Sequence, residues 1–114
     1  MPNGIKVPTE DVTELTTDSG VRFQKCGNVI TMVCNGSYID ANGLIEARIP
    51  SNMRPPVAVY PTCFVTRSSG QTPSHALAYA TLNTNGNINI VEPYNGSYRI
   101  PAGAYAYIVV TWLI

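Results

Sequence analysis

The sequence predicts an all-β fold of the sandwich or barrel kind, on three observations. Asn-Gly occurs five times, at Asn3-Gly4, Asn35-Gly36, Asn42-Gly43, Asn85-Gly86 and Asn95-Gly96. This dipeptide suits turns that need positive φ and is the strongest short-range hairpin signal. Between the turns lie short runs rich in Val, Ile, Tyr and Thr. Beyond residue 20, no window of eleven residues carries a helical period. Turns at this spacing suit a sandwich or a barrel, and 114 residues make one domain with a core of useful size.

Each element can be justified in order. Residues 1–19 hold five of the fourteen charges and little to bury, so they read as an arm or connector in front of a head at 20–114. Pro8 followed by Thr9-Glu10-Asp11 allows a short helix carrying Val12 and Leu15, and an extended arm is equally compatible. Val21 to Lys25 alternates, with Val21 and Phe23 on one face and Arg22 and Gln24 on the other. Gly27-Asn28 turns the chain into Val29 to Cys34, which is apolar on both faces. Leu44 to Ile49 sets Ile45, Ala47 and Ile49 inward and Glu46 and Arg48 outward, where the two charges suggest a surface ion pair; Pro50 stops the run. Val57 to Thr66 is interrupted by Pro61, which predicts an edge strand or a bulge. Ala76 to Leu82 and Asn87 to Val91 form a hairpin about Asn83-Thr84-Asn85-Gly86, with Ile88 and Ile90 inward and Asn87 and Asn89 outward.

The last strand, Ala104 to Ile114, carries no charge. One face holds Tyr105, Tyr107, Val109, Thr111 and Leu113. The other holds Ala106, Ile108, Val110, Trp112 and Ile114. An antiparallel strand with one wet face would show polar residues there. A single small domain has one interior, so the economical reading is a second face covered by identical copies about a symmetry axis. Tyr105, Tyr107, Val109 and Leu113 are therefore the candidate subunit interface. The competing reading buries both faces inside one subunit under a long loop.

Seven basic and seven acidic side chains balance, and no run of like charge occurs. Nucleic acid as the main partner needs a clustered cationic surface, so this pattern argues against it, as it does against a polybasic membrane contact. Charged residues are 12% of the chain, about half the usual share, which suits a surface that is partly covered. The opening MPNGIKVPTE has no apolar core segment or cleavage signature, which argues against Sec export, and no stretch has the length of a membrane helix. Cys26, Cys34 and Cys63 lack metal-ligand spacing and read as buried thilols of a protein folded in a reducing cytoplasm, with a Cys26–Cys34 bridge across a hairpin as the alternative.

Catalytic patterns are weak. His75 is the sole histidine, and no nucleophile-elbow sequence accompanies it. Asp40, Glu46 and Glu92 are the carboxylates outside the arm. Glu46 is accounted for by Arg48, and Asp40 by the backbone of a following turn. No catalytic residue, metal ligand or cofactor is predicted. The NGSY tetrapeptides at 35–38 and 95–98 match a glycosylation acceptor pattern and read better as a β-turn followed by an aromatic. The loops offer more for binding. Sugars need a flat aromatic to stack on and fixed polar groups around it. Tyr94, Asn95, Tyr98 and Arg99 in one segment, and Arg67, Gln71 and His75 in another, supply those types. Both segments sit where loops on a rigid β-scaffold bind ligands.

The run SGVRFQKCGNVITMVCNG, then IPSNMRPPVAV, then ATLNTNGNINIV, then the apolar last strand, resembles the C-terminal head domains of bacteriophage tail-fibre and receptor-binding proteins over about residues 19–114. The resemblance implies a small antiparallel β-sandwich, a jelly-roll-like head, assembled as a homotrimer. It also implies a place in the virion tail beside other tail or baseplate proteins, after synthesis in the bacterial host cytoplasm. The implied function is non-enzymatic adhesion to a host cell-surface saccharide or protein, without cofactor or membrane insertion. A purely structural virion module, such as a fibre tip, baseplate or capsid-decoration protein, is the alternative.

Overall fold

A computed structural model describes residues 12–66, 77–94, 97–99 and 103–114, with backbone alone for 77, 92–94 and 97–99. Its described residues form eight strands: β1 (Glu14–Asp18), β2 (Val21–Cys26), β3 (Val29–Tyr38), β4 (Thr62–Thr66), β5 (Leu77–Leu82), β6 (Ile88–Tyr94), β7 (Ser97–Arg99) and β8 (Tyr105–Leu113). All neighbours are antiparallel, in the order β1-β2-β3-β8-β4-β5-β6-β7. The all-β antiparallel class is as the sequence predicts. The two layers of the expected sandwich come from one sheet curled about a single core, because β2, β3 and β8 bury residues in the same cluster as β5 and β6.

The stretch 12–19, expected as an arm in front of the head, is extended and joins the sheet. Glu14 lies opposite Lys25 and Asp18 opposite Val21, and the opposite charges of the first pair favour this register. Ser19 and Gly20 both take positive φ, 47° and 82°, as a two-residue hairpin of type I′ requires. Leu15 stays 53% exposed, so β1 is in the sheet but outside the core. The segment 48–52 holds its core-side carboxylates: Asp18 Oδ2 accepts from Arg48 N at 2.9 Å and Glu14 accepts from Asn52 Nδ2.

Alternation along β2 and β3 fills the core from one side with Val21, Phe23, Ile30, Met32 and Cys34. Asn35-Gly36, expected as a turn, is instead a bulge inside β3. Asn35 pairs with Tyr107 and Ser37 with Ala106, leaving Gly36 as the extra residue at φ 83°. The free-thiol reading of the cysteines stands against the hairpin bridge. Cys26 pairs with Val29 and Cys34 with Val21, at opposite ends of the β2–β3 ladder.

Leu44 to Ile49 has the predicted faces without becoming a regular strand. Ile45, Ala47 and Ile49 are buried, while Glu46 and Arg48 are exposed. The segment follows β6 through Ile90 N to Gly43 O, Ile45 N to Ile88 O and Ile49 N to Gly86 O. Only single bridges form, Ile39–Ile45 and Leu44–Asn89. These bridges tie the end of β3 to β6 and draw the curled sheet back towards itself. The predicted ion pair is replaced: Arg48 Nη2 donates to Asn85 O at 2.7 Å, not to Glu46.

Pro61 neither bulges the chain nor marks a sheet edge. The pairs Val59–Leu82 and Thr62–Tyr79 share one register, and Ala80 N donates to Pro61 O. β4 lies inside the sheet, yet its ladder with β8 covers only Phe64 to Thr66. The residues before Phe64 therefore diverge from β8, and a proline is tolerated there.

The Asn83–Gly86 hairpin forms as predicted, with Asn83 N bonded to Asn87 O and Gly86 N to Asn83 O. Gly86 sits at φ +93°, and an added Cβ would lie 2.6 Å from Arg54 Nε and 2.9 Å from Ile49 O. Both the φ and the backbone contact oppose a side chain. Gly86→Ala is expected to cost about 2 kcal/mol, as strained φ values do. Urea denaturation checks this, and an unchanged midpoint contradicts it.

Burial pushes the Cys63 thiol up to about 12, and burial raises the Cys34 thiol as well. Both stay protonated at pH 8. Under native conditions iodoacetamide should label Cys26, which is half-exposed, and spare Cys34 and Cys63; peptide mass mapping reads this out. Unfolded thiols ionise at lower pH than the folded Cys63. Stability should therefore decline from about pH 9 upward, where the unfolded chain binds fewer protons.

Candidate functional site

Among the described residues, the β8 face that looks away from the core leaves large apolar side chains exposed. Of the expected core face, Ala106, Ile108 and Trp112 are buried and Val110 is half-buried, while Ile114, beyond the end of the ladder, is exposed. On the other face Tyr105 and Tyr107 are half-buried, while Val109 is 74% and Leu113 67% exposed. Register extends this face sideways. Val29 lies opposite Leu113, Val33 opposite Val109 and Asn35 opposite Tyr107 on β3, with Phe64 opposite Tyr107 on β4. Val29, Phe64 and Tyr38 are themselves exposed. A depression of about 430 Å³ runs where β4 and β8 part, lined among others by Val33, Thr62, Phe64, Tyr107 and Val109.

The alternative in which one subunit buries both faces is not what the described residues show, since no other part of them covers Val109 or Leu113. The β3 contribution was visible in the sequence, where Val29 to Cys34 is apolar on both faces. Phe64 was not, because Pro61 obscured the strand's neighbours.

The β3 bulge shapes the upper part of this face. A Cβ at Gly36 would stand 3.2 Å from the Tyr107 hydroxyl, so the Tyr107 ring lies close against the glycine backbone. Above it Tyr38 and Tyr105, paired in register, meet edge to face with centroids 5.7 Å apart and planes at 67°. The outer face thus divides by chemistry. Its lower half, with Val29, Val33, Val109 and Leu113, is aliphatic. Its upper half, with Tyr38, Tyr105, Tyr107 and Asn35, is aromatic and polar.

The predicted ligand segments are rooted at the upper end. Thr66 lies beside Tyr105, which lies beside Tyr38. β4 leads from Thr66 towards 67–76, β5 begins opposite Phe64, and the β6–β7 hairpin closes with Tyr94 paired to Ser97. Arg67, Gln71, His75 and Asn95 lie outside the described residues, as do the side chains of Tyr94, Tyr98 and Arg99. The structure brings together the strand ends that carry these segments.

Among the described residues, Asp40 and Glu46 are not brought together with a third carboxylate. Asp40 Oδ1 accepts from Asn42 N at 2.8 Å and from Leu44 N at 3.0 Å, the local turn role predicted for it. Glu46 is exposed on the 43–49 segment, and the side chain of Glu92 is outside the described residues. Among the described residues no group of three or more His, Cys, Asp and Glu side chains is placed to hold a metal ion. No helix among them is long and apolar enough to cross a membrane.

A scan against models of known protein families finds no match, and a search of curated proteins finds no significant relative.

Proposed function

We propose that the chain is a non-enzymatic attachment module that self-associates through the outer face of β8, in the manner of a homotrimeric phage tail-fibre head. The observation that carries this reading is the uncovered aliphatic half of that face, centred on Val109 and Leu113. Strand rise and spacing make the β3–β8–β4 face about 10 Å wide and about 30 Å long. Exposed apolar patches of a few hundred Å² mark interaction surfaces.

In this reading the aliphatic half lies at the subunit contact and the strand ends above it present the ligand segments to a host-surface saccharide. Several copies on one particle raise a weak single-site affinity by 10² or more through multivalency. The particle belongs in the virion tail, joined to other tail or baseplate proteins, after synthesis in the host cytoplasm.

Light scattering tests the assembly. The expected mass is three times the 12.3 kDa of one chain at micromolar concentration; a monomer at that concentration removes the basis of the proposal. Pull-down with host envelope fractions tests the attachment. A stable trimer that binds no envelope fraction is the result expected of a purely structural virion module.

A further inference from the structure

We propose a second, built-in saccharide site on the outer face of β5 and β6, with Tyr60 as its stacking platform and the Asn83–Asn89 amide pair as its polar floor. The choice of a host-surface ligand rests on the attachment reading above; the site itself rests on four adjoining positions of the sheet. Tyr60 is 65% exposed. The register shared by Val59–Leu82 and Thr62–Tyr79 puts it opposite Thr81, which pairs with Asn89. Leu44 bridges to Asn89 from the far side. One row across four strands therefore reads Tyr60, Thr81, Asn89, Leu44. Glu46 follows Leu44 on the outward face of the same segment and is exposed.

The amides are fixed before any ligand arrives. Asn83 Nδ2 donates to Asn89 Oδ1 at 2.8 Å, to Asn87 O at 3.1 Å and to Thr81 O at 3.5 Å. Three surrounding oxygens determine which end of the Asn83 amide is nitrogen. This leaves Asn83 Oδ1 as an acceptor and Asn89 Nδ2 as a donor, neither engaged by another described residue. Thr81 adds a hydroxyl and Glu46 a carboxylate at the rim. A pyranose presents an apolar C–H face and a ring of hydroxyls. An exposed tyrosine beside fixed, partly unused amides answers both. Ordering these groups costs little on binding, because the hairpin already holds them. The four residues of the row are uncharged, and the Arg48 guanidinium beyond them donates to Asn85 O, which suits a neutral sugar over a phosphate. Four strands span about 14 Å, enough for a disaccharide laid across them. Tyr60 leads into β4, which adjoins β8, whereas Thr81 and Asn89 lie two and three strands from β8, so the amide end of the site is the part removed from the self-association face.

The test is a heteronuclear NMR titration of the full chain with glucose, galactose, N-acetylglucosamine and maltose. The expected result is millimolar binding by at least one of them, with shifts concentrated on the Asn83 and Asn89 side-chain amides. Tyr60→Ala and Asn89→Ala, both at solvent-facing positions, should each weaken it at least tenfold while the remaining spectrum stays that of the folded parent. Binding unchanged in both variants, or shifts confined to 67–76 and 95–102, overturns this site and leaves the attachment reading intact. No binding of any of the four sugars also overturns it, and envelope pull-down then decides separately whether attachment itself survives.

Discussion

On the proposed self-association through β8, Val109→Glu is expected to yield monomers while leaving each chain folded. Val109 is 74% exposed, at the middle of β8 and opposite Val33. In the isolated chain a carboxylate there stays in water, and such surface changes usually shift stability by less than about 0.5 kcal/mol. Across a sheet-to-sheet contact the same carboxylate loses its hydration without a counter-charge. Removing one partner of a buried pair, which likewise leaves an uncompensated charge, costs about 3–5 kcal/mol; each 1.4 kcal/mol is a factor of ten in the equilibrium. Symmetry repeats the penalty at every copy and brings like charges together near the axis. Sedimentation at micromolar concentration should show a slower species, with the urea midpoint of the parent retained. A variant that sediments with the parent would place the interface elsewhere.

Trp112→Ala should have the largest effect on folding. The indole is 5% exposed, and its Nε1 donates to Met53 O at 2.7 Å across 59 residues of sequence. Truncating a buried tryptophan costs about 3–5 kcal/mol through lost burial and the cavity left behind. The Met53 carbonyl would also lose its partner in a buried setting. Against a typical total of about 5–15 kcal/mol, this leaves a marginal domain. Trp112→Phe keeps much of the packing and removes the hydrogen bond. It should lose about 1–3 kcal/mol, the cost of stranding a buried acceptor. Equilibrium urea denaturation of the pair separates the two contributions, and a loss under about 1 kcal/mol for Trp112→Ala would mean that β8 does not anchor the 39–61 segment.

Much of the inside of this protein is legible locally. Side chains on a strand alternate, so Val21 and Phe23, Ile45, Ala47 and Ile49, Ile88 and Ile90, and Ala106, Ile108 and Trp112 announce their burial by parity alone. The structure buries every one of them. Even where 44–49 fails to form a regular ladder its faces are right, because parity depends on extended backbone and not on the partner. Glu14 to Asp18 was hidden for the converse reason. An edge strand with two largely exposed faces has no apolar alternation to display, and only its pairing with Val21 to Lys25 reveals it.

The same limit applies to the sites. Tyr105, Tyr107, Val109 and Leu113 declare an unsatisfied face because eleven residues without charge exceed what one core can absorb. Tyr38, Phe64 and Tyr60 declare nothing, since a lone aromatic in a short strand or loop reads the same whether it packs, stacks or idles. Their meaning depends on what lies across the sheet. Tyr38 meets Tyr105 from 67 residues away in sequence, and Tyr60 comes beside Thr81 and the Asn83–Asn89 pair.

By itself the sequence determined the all-β class, the inward and outward faces of most strands, the Asn83–Gly86 turn and the apolar character of both sides of β8. These follow from backbone geometry and solvent exclusion within a few residues. Tertiary structure alone decided that one curled sheet supplies both layers, that β8 lies between β3 and β4, that Asn35-Gly36 bulges where a turn was expected, and which distant side chains share a surface. Antiparallel pairing joins residues far apart along the chain, and the free energy that selects among pairings is a property of the closed core as a whole.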